Sequence, residues 1–469
     1  MVNQEQDYWH IQMRDPEGRG GVQISSMDLL REPQPVIATT ESTDNDCNFK
    51  TVPEGTIVLV REGNRALALC KIIGPSYNSP ELQEKYISEN YRNVEILGFV
   101  SEKEQPESRT FSQKTFISCK AVTAKKQWPY IHQLHIRMTQ KNQIINILEQ
   151  YTQLLKDKRN IILQGAPGVG KTYTTASIAV RLCNPNFSEL EDHAKVMEEY
   201  ERLRQEGQIA FCTFHQSMDY EDFVEGLKPE LQGDHVTYKI EAGIFKQICE
   251  RAHTTEEDTS TKPHILIIDE INRGNISRIF GELITLLEAD KRTGDGKHPI
   301  KVTLPYSKDS FSIPSNLYII GTMNTTDRST GSIDYAVRRR FAFITLKTDP
   351  EVIKTCIKDD AVRAKALALF KQINGDGTGD SKSFIATHKA GDFDLEDLKV
   401  GHSYFLAETL EALQMKMRYE VIPLLREYIK DGILQGKEND EKYFAAWEKG
   451  ECFNPATTEK PEASSDSEA

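Results

Sequence analysis

Eight consecutive residues, Gly165, Ala166, Pro167, Gly168, Val169, Gly170, Lys171 and Thr172, have the types and spacing that hold a phosphate chain. The pattern G-x-x-x-x-G-K-[ST] works because glycines let successive backbone N–H groups converge on an anion. The lysine reaches the terminal phosphates, and the threonine hydroxyl takes a Mg²⁺ ion. An apolar run, Ile161-Ile162-Leu163, precedes the loop. From Tyr173 the residues suit a helix whose N-terminus adds positive dipole at the same point. The chemistry indicated is nucleotide binding, with Gly165 to Tyr173 as the contact stretch.

A second apolar run, Ile265-Leu266-Ile267-Ile268, ends in Asp269-Glu270. In a parallel sheet the C-terminal ends of such strands face the ligand crevice. Asp269 suits work on Mg²⁺ and Glu270 suits polarising an attacking water, since phosphoryl transfer asks for position and charge more than covalent chemistry. A third run, Leu317-Tyr318-Ile319-Ile320-Gly321, leads into Thr322-Met323-Asn324-Thr325-Thr326-Asp327-Arg328-Ser329. Asn324 is placed to hold a water near the γ-phosphate; the plain alternative is that Asn324 and Asp327 only shape a turn. Their spacing also imitates a guanine-reading motif, but Thr325 stands where that motif has lysine. Arg338-Arg339-Arg340 follows the apolar-spaced Ile333, Ala336 and Val337. It admits three readings: a solvated face, a nucleic-acid contact, or fingers reaching a neighbouring subunit's nucleotide.

The elements that must position these groups are legible in outline. Residues 1–135 read as a separate, mostly β module, with a hairpin expected across Glu62-Gly63-Asn64 and a further strand over 115–122. Residues 139–155 have helical apolar spacing at Ile144, Ile145, Leu148, Tyr151, Leu154 and Leu155. From there strands and helices alternate to 348, as in a parallel sheet with crossover helices. The stretch 184–208 is expected to be a charged helical insertion. Residues 349–455 read as helical, with Pro423 expected to end or kink the segment 407–422. The remainder, 456–469, is rich in Glu, Ser, Thr, Pro and Asp and is expected to be disordered.

Composition narrows the class. A chain of 469 residues with 38% hydrophobic and 28% charged residues has the make-up of an ordinary globular protein of several domains. No apolar run approaches the ~18–20 residues that cross a bilayer, and the polar start Met1-Val2-Asn3-Gln4-Glu5 is not a signal peptide. Eight scattered cysteines without a C-x-x-C pair favour reduced thiols and a cytoplasmic setting. A net charge of −13 argues against indiscriminate coating of nucleic acid, while leaving room for a local basic channel.

The order of phosphate loop, Asp-Glu strand, Asn strand, arginine cluster and helical tail resembles the AAA+ ring ATPase superfamily. Further motifs sharpen the resemblance to its McrB-type members, the GTP-driven subunits of modification-dependent (5-methylcytosine-type) restriction systems. These are Phe214-His215-Gln216-Ser217-x-x-Tyr220-Glu221-Asp222-Phe223-x-x-Gly226-x-x-Pro229, Asp269-Glu270-Ile271-Asn272-Arg273, Met323-Asn324-x-x-Asp327-Arg328-Ser329 and Gly401-His402-Ser403-Tyr404-Phe405. The resemblance covers about residues 140–430. It implies an α/β AAA+ P-loop NTPase with a parallel sheet core over 139–348 and a helical lid over 349–455. It also implies GTP (or ATP) and Mg²⁺ as cofactors, a homo-hexamer, a separate McrC-type nuclease subunit, double-stranded modified DNA as partner, and no membrane. By the same resemblance Lys171 and Thr172 hold phosphate and Mg²⁺, Asp269 supports the metal and Glu270 activates water. Asn324, Asp327 and Arg328 form a signature loop acting at the subunit interface. Arg339, with Arg340 beside it, is the candidate trans finger, and His402 lies in a motif of the helical lid, where a packed, hydrogen-bonded role is the plainer reading than catalysis.

The N-terminal module resembles EVE or PUA-like β-barrels, which take a flipped modified base between aromatic side chains. Trp9 is the aromatic candidate, with Trp128 second; Lys125 and Lys126 read as backbone-phosphate contacts or as a solvated pair. Core packing is the plainer role for each aromatic. The rival to a restriction motor is a MoxR-like ATP-dependent protein-remodelling machine.

Overall fold

The computed structural model describes residues 7–13, 25–39, 49–86, 88–106, 111, 116–120, 127–232, 235–254, 262–326, 333–375, 382–391 and 393–454. Asp327, Arg328, Lys125, Lys126 and the tail 456–469 lie outside the described residues, as do the flanks of the strand expected over 115–122. The chain forms two compact units that divide between Ile147 and Leu148.

The first unit is built on a six-stranded sheet of order β2-β5-β4-β3-β1-β6. Its strands are β1 (Tyr8–Gln12), β2 (Val36–Thr39), β3 (Ile57–Glu62), β4 (Arg65–Ile72), β5 (Asn90–Phe99) and β6 (Phe116–Ser118). The hairpin between β3 and β4 forms as expected, with Gly63 at φ 58°. All neighbours are antiparallel except β1 and β3, which run parallel with Tyr8 opposite Ile57. Alternate residues of β3 enter different cores. Val58 and Val60 join Ile11, Ala68 and Cys70, while Ile57 and Leu59 join Leu69, Ile131, Leu134 and Met138. Burial on both faces explains why these strands are apolar runs rather than alternating patterns.

The helix expected over 139–155 is longer and runs over Trp128–Lys158. Its early apolar residues, Ile131, Leu134 and Met138, belong to the first unit's core, and Leu148 and Leu155 belong to the second's. A helix serving two cores shows no single apolar stripe, so periodicity reveals only part of it.

The second unit carries an all-parallel, five-stranded sheet of order β15-β7-β14-β11-β8. These strands are β7 (Asn160–Gly165), β8 (Ile209–Thr213), β11 (His264–Asp269), β14 (Leu317–Asn324) and β15 (Ala342–Thr345). Ile162, Leu266, Ile268 and Ile319 fill the core on one face, and Ile161, Leu163, Ile265, Ile267 and Ile320 fill the other. Register brings the functional strand ends together: Asn324 pairs with Gly165, and β11 next to β14 ends at Asp269.

The charged stretch 184–208 contains a helix, His193–Gln205, N-capped by Asp192. It is not merely appended, because Val196, Tyr200 and Leu203 are buried in the core against the Lys171–Cys183 helix and the sheet. The hairpin of β9 (Glu225–Gln232) and β10 (His235–Ala242) was not anticipated. Leu227, Leu231, Val236, Tyr238 and Ile240 on it remain exposed, and in β10 the apolar residues alternate with Thr237, Lys239 and Glu241.

Helices from Pro350 onward enclose a separate core around Leu369, Phe405, Leu425 and the fully buried Trp447. Pro423 neither ends nor breaks its helix. The chain runs helically from Leu410 to Lys430, with a π turn at Met417–Val421 immediately before the proline. Proline placed in the first turn after the π turn needs no backbone donor there.

Candidate nucleotide site

The loop after β7 turns through Gly165, Gly168 and Gly170 at φ 154°, 77° and 84°. Gly170 caps the Lys171–Cys183 helix without any side-chain acceptor, so no side chain caps the first N–H groups of that helix. This is the arrangement that attracts a phosphate.

Lys171 is largely buried, and its ammonium donates to Gly165 O at 3.0 Å, Ala166 O at 2.9 Å and Asn324 Oδ1 at 2.7 Å. Burial pushes its pKa down to about 8, with the Glu270 and Asp269 carboxylates offsetting part of the shift. Asn324 turns its Nδ2 to Glu270 Oε1 at 2.6 Å, and Arg273 Nε lies 3.3 Å from Glu270 Oε2. Glu270 sits in left-handed backbone geometry, φ 51° and ψ 46°, which a non-glycine residue adopts only when its surroundings impose it. Lysine, asparagine and glutamate thus form one hydrogen-bonded chain from the phosphate loop to the expected water-activating carboxylate.

Thr172, Asp269 and Thr322 line a cavity of about 370 Å³ together with Tyr173, His193 and Phe211. A hydroxyl and a carboxylate meeting there are the hard oxygen donors that Mg²⁺ prefers. Among the described residues no group of three or more His, Cys, Asp or Glu side chains is placed to hold a metal.

The Gly401-to-Phe405 motif is packed onto the phosphate loop. Gly401 N–H donates to Pro167 O at 3.0 Å and Ser403 N–H to Gly168 O at 3.1 Å. A Cβ on Gly401 would lie 2.1 Å from the Gly168 carbonyl carbon, so only glycine fits. His402 is buried, its Nδ1 accepts from the Asp349 amide at 3.3 Å, and burial lowers its pKa. It is a packed, hydrogen-bonded residue, as the plain reading had it.

Residues 160–341 match the AAA domain of the dynein-related subfamily, and residues 389–435 match the McrB alpha-helical lid domain. The chain carries an AAA domain and an McrB-type lid. It is 33% identical, over 61% of its length, to the type IV methyl-directed restriction enzyme EcoKMcrB subunit of Escherichia coli strain K12. It is 25% identical, over 42% of its length, to the type II restriction enzyme BsuMI component YdiS of Bacillus subtilis. The matched regions span 57% and 59% of those two relatives.

Within the AAA domain the three arginines have different fates. Arg338 lies over the Phe343 ring, 5.0 Å from its centroid. The Arg340 guanidinium is only 4% exposed, paired with Glu288 at 2.9 Å and bonded to Ala336 O. Arg339 is 67% exposed, with Glu288 at 3.6 Å. Finger duty, expected of both Arg339 and Arg340, is therefore compatible in this geometry with Arg339 alone. Arg339 also stands at the wrong edge for its own nucleotide. It precedes β15, whose Ala342 pairs with Ile161 near the start of β7, whereas the phosphate loop leaves the far end at Gly165. At ~3.3 Å per residue those ends are about 13 Å apart, beyond an arginine's reach.

In the first unit Trp9 is half-buried. It stacks on Phe116 with centroids 4.6 Å apart, and its indole N–H donates to Asp7 Oδ2 at 3.1 Å. Trp128 stacks on His132 at 4.5 Å. Two groups near the nucleotide site had no role assigned from sequence, Thr322 and Arg273. Thr322 was signalled only by its position one strand across from Asp269, while Arg273 closes the Asp269-to-Arg273 motif that carried the resemblance.

Proposed function

We propose that this chain is the GTP-hydrolysing AAA+ motor subunit of a modified-DNA-specific restriction system, itself lacking the nuclease. The observation that carries the hydrolytic part is the Lys171–Asn324–Glu270 chain. A nucleotide's terminal phosphate takes the place of Asn324 on Lys171, which frees Asn324 and Glu270 to hold the attacking water between them. Thr172 and Asp269 would hold Mg²⁺, which would supply charge to offset that developing on the phosphates. Arg339 supports assembly into a ring, the homo-hexamer expected of the family, because it can reach a nucleotide only in a neighbouring copy.

The restriction context is supported by the two restriction relatives and the McrB-type lid. They favour it over a MoxR-like protein-remodelling ATPase. The first unit then selects double-stranded modified DNA in the manner of an EVE or PUA-like domain, with Trp9 as base-stacking candidate, and an McrC-type partner cuts. Among the described residues no helix is long and apolar enough to cross a membrane, and a cytoplasmic site of action is part of the proposal.

Phosphate release with GTP and ATP in parallel, with and without duplexes carrying 5-methylcytosine, tests the reading. Preference for GTP with stimulation by modified DNA and an McrC-type subunit is expected. Preference for ATP with indifference to DNA overturns the restriction reading and leaves the protein-remodelling one.

A further inference from the structure

We propose that Thr322 is a positioning residue that sets both carboxylates at the end of β11. The inference rests on the nucleotide-hydrolysis reading above and assigns a role to a side chain outside the loop, the carboxylates and the asparagine. Thr322 is 2% exposed. Its hydroxyl donates to Asp269 Oδ1 at 2.6 Å and accepts from the Glu270 amide N–H at 3.2 Å. A hydroxyl has one proton and lone pairs to spare, and here a single oxygen serves two consecutive residues in both capacities.

The placement follows from the sheet. The β11–β14 ladder closes with Ile268 opposite Gly321, so Asp269 and Thr322 come next, side by side, where the backbone pairing stops. The side chain continues the strand contact that the backbone no longer makes. Two consequences follow for the site. Asp269 Oδ1 is committed to Thr322, which fixes the carboxylate rotamer and leaves Oδ2 to serve the cation or its water. The Glu270 amide is held at the point where the chain enters its left-handed conformation, and it is in this conformation that Asn324 meets the carboxylate. Without the hydroxyl, Glu270 relaxes toward ordinary backbone angles and its carboxylate leaves the Lys171–Asn324 chain. Thr322 acts through the two neighbours its hydroxyl bonds, Asp269 and Glu270.

The test compares Thr322→Val, which keeps the shape and removes the hydroxyl, with Thr322→Ser, which keeps the hydroxyl and removes a methyl. Binding of a fluorescent GTP analogue is measured in EDTA and across a Mg²⁺ titration, and steady-state turnover is measured alongside. Groups behind a metal ligand commonly contribute 10–100-fold, so T322V is expected to raise the half-saturating Mg²⁺ concentration and to lower turnover by about tenfold or more. Binding in EDTA stays within about twofold of the parent protein, and T322S stays within about threefold throughout. A residue that only packs predicts the reverse order, with T322S the worse, and that order overturns the proposal; so does a T322V protein indistinguishable from the parent. If T322V does not fold, Thr322→Ala against T322S gives the same comparison with the methyl absent from both. Absence of Mg²⁺-dependent hydrolysis of any nucleotide by the parent protein overturns the underlying reading instead.

Discussion

The ammonium of Lys171 lies 2.7 Å from Asn324 Oδ1, and Asn324 in turn lies 2.6 Å from Glu270. The phosphate-gripping cation and the candidate water-activating carboxylate are therefore joined through Asn324. Glu270→Gln keeps the shape of this chain and removes its charge. Nucleotide binding and assembly are expected to persist while turnover falls by about 10²–10⁴-fold. Turnover near that of the parent protein removes Glu270 from the role.

Burial holds Lys171 at about 8 instead of 10.5. Between those values the unfolded chain binds the proton and the folded one does not, so this group makes the fold more stable as pH rises through the window. Phosphate needs the cation, so the effect on function has the opposite sign. Nucleotide affinity is expected to fall as pH climbs from 7 to 9, and binding near pH 8 to take up protons. Isothermal titration in buffers of different ionisation enthalpy reads that uptake directly; a buffer-independent enthalpy at pH 8 contradicts it.

Arg339 and Arg340 differ in burial, and their alanine variants are expected to fail differently. Arg339→Ala leaves the melting temperature unchanged and lowers turnover by as much as ~10³-fold, the scale of a finger supplied in trans. Arg340→Ala breaks a largely buried ion pair and costs stability, about 1–3 kcal/mol given that Glu288 stays partly exposed. Mixing Arg339→Ala with Lys171→Ala chains tests the trans geometry: mixed rings regain turnover because some interfaces carry both intact groups. No recovery on mixing counts against action between copies.

Gly401→Ala forces a methyl to within 2.1 Å of the Gly168 carbonyl carbon. Backbone cannot yield there as a flexible side chain would, so the lid motif must lift from the phosphate loop. The expected outcome is weaker nucleotide binding and faster proteolysis within the lid, with the sheet core intact by circular dichroism. Unchanged proteolysis and affinity show that the contact is dispensable.

The parallel sheet, the phosphate loop and the carboxylate pair were legible because each is written in consecutive residues. A buried strand between two helical layers must be apolar throughout, and a loop around phosphate needs its glycines at fixed spacing. The helix at His193–Gln205 was also visible, but its charged face hid the burial of Val196, Tyr200 and Leu203. The β9–β10 hairpin did carry a signal, the alternation of Val236, Tyr238 and Ile240 with Thr237, Lys239 and Glu241, although its apolar side chains stay exposed. Pro423 was expected to end or kink its segment; the helix does not end there, and a π turn over Met417–Val421 lies just upstream of the ring.

What the sequence alone determined is which groups are present and which strand each one ends. Only tertiary structure decided that Arg340 is held by Glu288 while Arg339 is exposed, that Lys171 rests on Asn324, and that the lid motif seats on Gly168. The physical reason is that these relationships join residues distant along the chain. Their distances are set by the order and register of the strands and by the packing of the lid core, and no local pattern of residues carries that information.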